Sequence, residues 1–290
     1  MNIAVVIPTV DRPDALRRAL TAIRGQSQQA QVILVCPPDA SRLPEDVRSD
    51  SRIAVVDGVK GLTRQRNLAV ASIPESIDYI AFFDDDAVPR SDYLEKAAVV
   101  LDANPDIVGV TGAVVRDGAQ ERVELSADEM SAALDASWAD DRDGFEPVTG
   151  LYGCNMMIRA DVVRATLFDE RLPLYGWLED LDFSRRAMTK GRLVKAHGVV
   201  TVHQGSSSGG RKQHRRLGYS QICNPVYLWR KGSLEPKDLA VLVGKPVLSS
   251  LRGSIIGDER PERRERLKGM GLALGDLVRG RFTPERITEL

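Results

Sequence analysis

Several common chemistries are missing from this sequence, and its bulk properties announce no partner. Three cysteines, Cys36, Cys154 and Cys223, are scattered over 290 residues. They are too few and too far apart for a disulfide framework or a zinc site, and they read as cytosolic thiols. No run of 18 apolar residues occurs, which excludes a membrane-spanning helix. Met1 leads straight into a strand-like stretch without a basic leader or cleavage site, so the expectation is a cytoplasmic protein without a secretion signal. Charge of one sign is lacking too: Lys+Arg number 40 and Asp+Glu 41, a formal charge of −1, so no overall field points to nucleic acid. Pro8-Thr9 stands where a dinucleotide enzyme would carry G-x-G-x-x-G after its first strand. Gly244-Lys245 is followed by Pro246, so there is no phosphate-binding G-x-x-x-x-G-K-[ST], and no G-x-S-x-G elbow is found.

What is present is an ordinary globular balance, 43% hydrophobic and 28% charged, which excludes wholesale disorder. Ile3 to Ile7 is a continuous apolar run stopped by Pro8, the pattern of a strand covered on both faces. Asp11 is the expected cap of a helix from Pro13, with Leu16, Leu20 and Ile23 at helical spacing. Strands over 31–35 and 53–56, a helix over 63–72 and a strand over 78–83 continue a βαβ grammar of right-handed crossovers. Ser91 is the expected cap of a helix through Val100, followed by a strand from Ile107. Residues 117–146 are acidic and weakly patterned and read as a surface insertion with one short helix. A strand over 153–158, a helix capped by Asp161, strands over 192–194 and 199–202, and a helix over 219–229 complete the pattern. Ser206 to Lys212 reads as a flexible basic loop, and beyond residue 235 apolar residues recur at helical spacing.

Three constellations carry chemistry. The first is Asp84-Asp85-Asp86 after the buried run ending in Phe82-Phe83. Three carboxylates at a strand end repel one another unless water or a cation neutralises them, and hard oxygens suit Mg²⁺ or Mn²⁺. An acidic turn before the next helix is the bland alternative. The second is Glu179, Asp180 and Asp182 at a helix start, either complementing the helix dipole or supplying a general base. Tyr175 and Trp177 beside them fit a stacking floor for a sugar ring or plain core. The third is His203 at a strand end, a structural imidazole or a ligand to the same cation. The Ser206–Lys212 loop fits a lid over a diphosphate, and Arg211, Lys212, Arg215 and Arg216 fit a solvated basic patch equally well.

The order of these pieces resembles the family 2 glycosyltransferases of the GT-A fold, from Val5-Val6-Ile7-Pro8-Thr9 to about Lys231. Gly61-Leu62-Thr63-Arg64-Gln65-Arg66-Asn67 is similar to the family's Gly-x(3–4)-Arg-Asn helix start, and Asp84-Asp85-Asp86 to its Asp-x-Asp motif. Gly153-Cys154-Asn155, the Glu179-Asp180 pair, His203 and Tyr219 to Asn224 follow in the family's order. One departure stands out. Family members place an Asp just after the second strand to meet the nucleotide base, whereas this chain reads Val35-Cys36-Pro37-Pro38-Asp39, with Asp39 the displaced substitute.

The resemblance implies an α/β fold with a mostly parallel central sheet flanked by helices and a helical tail. It implies a catalytic domain over 1–235, divided into a nucleotide-sugar half (1–110) and an acceptor half (111–235), with the tail over 236–290. It implies inverting transfer from a nucleotide-sugar donor, a UDP-sugar foremost, to a carbohydrate or lipid-linked acceptor in polysaccharide, glycolipid or glycoconjugate synthesis. Mn²⁺ or Mg²⁺ is the implied cofactor, ligated by Asp86 with His203. Asp84 and Asp85 are expected on ribose or diphosphate, and Pro8, Thr9 and Arg66 along the nucleotide. Trp177 belongs to the sugar or acceptor side, and Asp180 is the base with Glu179 as second choice. The rivals are a sugar-phosphate nucleotidyltransferase and a non-catalytic module for anionic polymers. The tail sets Leu267, Met270, Leu272, Leu274, Leu277 and Val278 among Arg263, Arg264, Arg266, Lys268, Arg279 and Arg281. That pattern fits peripheral contact with an anionic membrane face, or packing on the domain or on a second subunit.

Overall fold

A computed structural model of the chain describes residues 1–139, 142–205, 213–256 and 258–290. The expected basic lid, Ser206 to Lys212, lies outside the described residues. Two compact units emerge, one of residues 1–60, 64–168 and 183–207, the other of 61–63, 169–182 and 208–290.

The first unit is built on a nine-stranded sheet: β1 (Ile3–Pro8), β2 (Val32–Cys36), β3 (Ile53–Val55), β4 (Tyr79–Phe83), β5 (Ala87–Pro89), β6 (Ile107–Asp117), β7 (Phe145–Val148), β8 (Asn155–Arg159) and β9 (Arg192–His203). The order is β3-β2-β1-β4-β8-β6-β9-β5, with β7 also on β9. One half is parallel (β3-β2-β1-β4), and β8, β5 and β7 pair antiparallel with their neighbours. The unbroken apolar run of β1 has the expected cause. Ile3, Val5 and Ile7 enter one core with Leu16, Leu20 and Ile23 of α1 (Pro13–Arg24), Val47 of α2 (Glu45–Arg48) and Leu94 and Leu101 of α4 (Tyr93–Ala103). Ala4 and Val6 enter another with Ala69 and Val70 of α3 (Leu62–Ser72) and Val163 of α7 (Ala160–Thr166). Helices thus cover both faces, as the α/β reading requires.

Local expectations shift in five places. Asp11 does not cap α1: Arg12 holds the N-cap position, while Asp11 takes φ 53° and pairs with Arg42 at 2.5 Å. Ser91 is not the cap of α4, since Asp92 precedes that helix. Asp161 sits in the first turn of α7 rather than at its cap, which is Arg159. Residues 117–146 are more than an insertion with one helix. They hold α5 (Gly118–Glu121), α6 (Ala127–Ser137) and the start of β7, which adds to the sheet against β9. The two late strands are one strand of 12 residues, β9.

The second unit contains α9 (His214–Lys231), α10 (Pro236–Ile255), α11 (Arg260–Val278), a 3-10 turn over Pro284–Glu289 and the first turn of α8 (Glu179–Ala187). Tyr219, Ile222, Cys223, Met270, Ala273 and Ile287 form its main core. Leu172, Leu228 and Leu234 form a smaller one. Of the tail positions expected to be amphipathic, Met270 is in that core and Leu267 packs against it, while Leu272, Leu274 and Val278 are exposed. No described helix is long and apolar enough to cross a membrane.

Candidate functional site

Strand direction gathers the polar residues of the first unit. β1 and β4 are parallel, the antiparallel steps β4–β8 and β8–β6 cancel, and β9 is parallel to β6. The carboxyl ends of β1, β4, β6 and β9 therefore share one edge, where open α/β sheets bind ligands. They deliver Thr9, the Asp84–Asp86 turn, Asp117 and His203.

β4 ends because the chain folds back at once: the Ala87 N–H donates to the Asp84 carbonyl at 3.0 Å, closing a turn. Ala87 then pairs with His203 across β5 and β9, and the Gln204 N–H donates to the Asp86 carbonyl at 2.8 Å. The turn separates the three carboxylates. Asp84 and Asp86 join His203, each of the three offering a ligand atom within 4.8 Å of the others. Asp85 is instead buried, accepting from Thr9 Oγ1 at 2.6 Å and pairing with Arg12 Nη1 at 3.2 Å. Arg12 also reaches Asp86 Oδ2 at 2.9 Å. Burial pushes the Asp84 carboxyl up, Arg66 opposes it and Asp86 adds to the rise. Burial likewise lifts Asp85 to about 7 against the pull of Arg12.

His203 is held from both sides. Its Nδ1 lies 3.0 Å from Asp117 Oδ1 and its Nε2 lies 3.3 Å from Asp86 Oδ1. Burial alone would lower its pKa, but the bonds to Asp117 and Asp86 outweigh that and raise it to about 10. Asp117 also accepts from the Tyr152 hydroxyl at 2.8 Å and from the Ala119 N–H at 3.0 Å. With Nδ1–H donating to Asp117, Nε2 is the nitrogen that turns to a cation, the usual carboxylate–histidine arrangement of metal sites. Two glycines allow the approach. A Cβ on Gly118 would stand 2.1 Å from the Gln204 carbonyl oxygen, and one on Gly205 (φ +74°) would stand 2.2 Å from the Gly118 carbonyl carbon. Two hard carboxylates and an imidazole fit Mn²⁺ or Mg²⁺.

Sequence reading missed Asp117 as a site residue and undervalued Arg12. The available signal was a carboxylate followed by glycine at the end of the Ile107–Val115 run, and a matching glycine two residues after His203. Other expected residues take definite places. Pro8 is buried at the end of β1, opposite Cys36. Thr9 donates to Asp85, and its carbonyl accepts from Gln65 Nε2 at 3.2 Å. Asp39 is exposed, accepts from the Ser41 N–H at 2.9 Å and lines a cleft with Thr9, Arg12, Pro37, Pro38 and Arg42. Arg66 is 0% exposed and Asp84 30%. Arg66, expected along the nucleotide, lies beneath the acidic turn. Its Nη2 donates to the Gly153 carbonyl at 2.8 Å and stands 3.3 Å from Asp84, over the Phe82 and Phe168 rings.

In the second unit, Leu174, Gly176 and Leu178 all take positive φ and coil the chain into α8, where the Glu179 N–H donates to the Gly176 carbonyl at 2.7 Å. The carboxylates that follow divide sharply. Asp182 is fully enclosed, its two oxygens each 2.9 Å from Lys231 Nζ and one 2.6 Å from Ser233 Oγ. It is an internal ion pair, so the base candidates reduce to Glu179 and Asp180. Glu179 is buried, whereas Asp180 is half-buried and accepts from the Leu181 N–H at 2.8 Å. Trp177 lines a cleft with Tyr175, Gln213, Arg216 and Ser220, and its carbonyl accepts from Asn224 Nδ2 at 2.8 Å.

The family model described as glycosyl transferase family 2 matches residues 4–167, more than half of the chain. A glucosyl-dolichyl phosphate glucuronosyltransferase of Haloferax volcanii is 31% identical over 85 residues, a match spanning 29% of this chain and only 27% of that relative. Among solved structures, the mannosyltransferase PcManGT of Pyrobaculum calidifontis, in complex with GDP-Man and Mn²⁺, is similar with a TM-score of 0.56 at 15% identity, covering 99% of this chain and 84% of that one. S. aureus TarS 1–349 in complex with UDP-GlcNAc is similar with a TM-score of 0.57 at 15% identity, covering 100% and 84%. At such identity these structures establish the GT-A fold alone. The sheet edge that gathers the acidic turn and His203 falls on β-strands largely inside the matched segment, and the chain belongs to glycosyl transferase family 2.

Proposed function

We propose that the protein transfers a sugar, with inversion, from a nucleoside diphosphate sugar to the hydroxyl of a carbohydrate or lipid-linked acceptor. The observation that carries this reading is the Asp84–Asp86–His203 cluster at the carboxyl edge of the sheet. Asp86, His203 and Asp84 would hold a divalent cation, which would supply Lewis-acid neutralisation of the departing diphosphate. Arg12 and Arg66 set the charge of the acidic turn from beneath and beside it. The cleft lined by Pro37, Pro38, Asp39 and Arg42 suits the nucleoside, with Asp39 as acceptor for base or ribose donors. PcManGT with GDP-Man and TarS with UDP-GlcNAc support a nucleotide-sugar donor, and a UDP-sugar is our first choice.

Inversion needs a single base that takes the acceptor's proton as its oxygen attacks the anomeric carbon. We assign that proton to the Asp180 carboxylate, with Glu179 second. Asp180 is the more exposed of the pair, and Asp182 is already committed to Lys231. Trp177 and Tyr175 give a sugar ring an apolar wall. The test is to incubate the protein with UDP- and GDP-sugars, Mn²⁺ and a panel of acceptors. Release of nucleoside diphosphate supports the reading. Release of pyrophosphate from a nucleoside triphosphate and a sugar phosphate would replace it with nucleotidyl transfer.

A further inference from the structure

We infer that the outward face of α10 is a docking surface for an anionic lipid membrane. Of 17 large hydrophobic side chains that stand exposed among the described residues, eight fall within 38 residues of the tail: Val241, Leu248, Leu251, Ile255, Ile256, Leu272, Leu274 and Val278. The other nine are scattered singly over the rest of the chain, as surface hydrophobics ordinarily are. α10 supplies the ordered part of this concentration. At about 100° per residue, Lys237, Val241, Lys245, Leu248, Arg252 and Ile255 fall within one arc of about 80°. The opposite side of the same helix carries Leu242, Val243 and Val247, which pack inside the second unit, and Ser250, which is buried. α10 is therefore fully used on one side and unpartnered on the other.

The outward stripe alternates cation and aliphatic residue. Leu248 is 69% exposed and Ile255 72%. Lys237 pairs with Glu235 at the helix start, but neither Lys245 nor Arg252 forms an ion pair among the described residues. No carboxylate lies in the stripe. A second copy of this chain is a poor occupant: a two-fold contact across the stripe sets Lys245 and Arg252 against their own kind. An anionic bilayer interface answers both halves of the pattern, taking the Leu and Ile side chains below the headgroups and the cations among the phosphates. This differs from the sequence-level expectation, which put the amphipathic basic surface on α11. There Met270 and Ala273 are core and Arg263 is buried.

The test is flotation of the full chain with vesicles of neutral phosphatidylcholine alone or with anionic phosphatidylglycerol added. Binding is expected only with the anionic lipid and to weaken as salt rises. Lys245→Gln with Arg252→Gln should weaken it about thirty-fold, from roughly fivefold per cation. Leu248→Glu with Ile255→Glu should abolish it. All four positions are exposed, and unchanged melting temperatures check that the variants fold. Equal binding by all variants, or none by the native chain, overturns the inference. Self-association in sedimentation velocity that Leu248→Glu abolishes, without vesicle binding, overturns it in favour of a second copy. Vesicle binding does not read sugar transfer, so this surface and the proposed activity can fail separately.

Discussion

Asp117→Asn is the sharpest probe of the cation site, because it changes a charge without touching a proposed ligand. The asparagine oxygen still accepts from His203 Nδ1–H, so ring orientation and tautomer are kept while the negative charge behind the ring is lost. Both residues are buried, with Asp117 8% and His203 5% exposed, so solvent screens the lost interaction poorly. Carboxylates placed behind a ligating imidazole are worth about 10–100-fold in metal affinity, or about 1.4–2.7 kcal/mol. Mn²⁺ affinity, read by titration calorimetry, should fall by that factor. The metal-free protein should also lose about 1.5–3 kcal/mol of stability in urea unfolding near neutral pH, where the 3.0 Å bond joins two charged groups. Asp86→Ala is the control, expected to remove metal-dependent donor binding and leave the fold intact. If Asp117→Asn binds Mn²⁺ like the native chain while Asp86→Ala does not, the role given to Asp117 is wrong.

Four further outcomes follow from the same geometry. Asp180→Asn should keep donor affinity and stability but lose about 10²–10⁴ in turnover. Asp182→Asn should do the reverse, costing about 3 kcal/mol in urea unfolding because Lys231 keeps Asp169 as its one carboxylate partner among the described residues; near-native turnover in the first variant would move the base to Glu179. Gly118→Ala should cost about 1–3 kcal/mol and weaken Mn²⁺ binding by separating Asp117 from His203, since its methyl meets the Gln204 carbonyl at 2.1 Å; a stable variant with unchanged affinity would show that the two strand exits need not touch. Burial alone would raise the Asp169 carboxyl, but the bonds from Lys231 and Tyr227 hold it below its ordinary value. Its stabilisation is therefore present above the ordinary carboxylate range and lost as pH falls through the lowered pKa. Urea midpoints across the acid range should fall less steeply for Asp169→Asn than for the native chain, and parallel curves would refute the assignment.

The sequence alone determined the elements whose residues answer to local rules. β1 was legible because every residue of Ile3–Ile7 is apolar, and a strand buried on both faces needs no alternation. The acidic turn was legible because Pro-poor, β-rich Tyr79–Phe83 stops abruptly at three carboxylates. Tertiary structure decided what those carboxylates do. Asp85 looks like its neighbours in sequence, yet the turn sends it to Thr9 and Arg12 while Asp84 and Asp86 meet His203. Asp182 shares a helix turn with Asp180, but Lys231, 49 residues away, takes it inside. Asp117 was hidden because its partner lies 86 residues away, brought close by the parallel register of β6 and β9. The tail's apolar residues recur at helical spacing in both α10 and α11, so periodicity could not say which helix turns a face outward. Periodicity records that a residue has a face; which face meets protein and which is left open depends on what the rest of the chain packs against it.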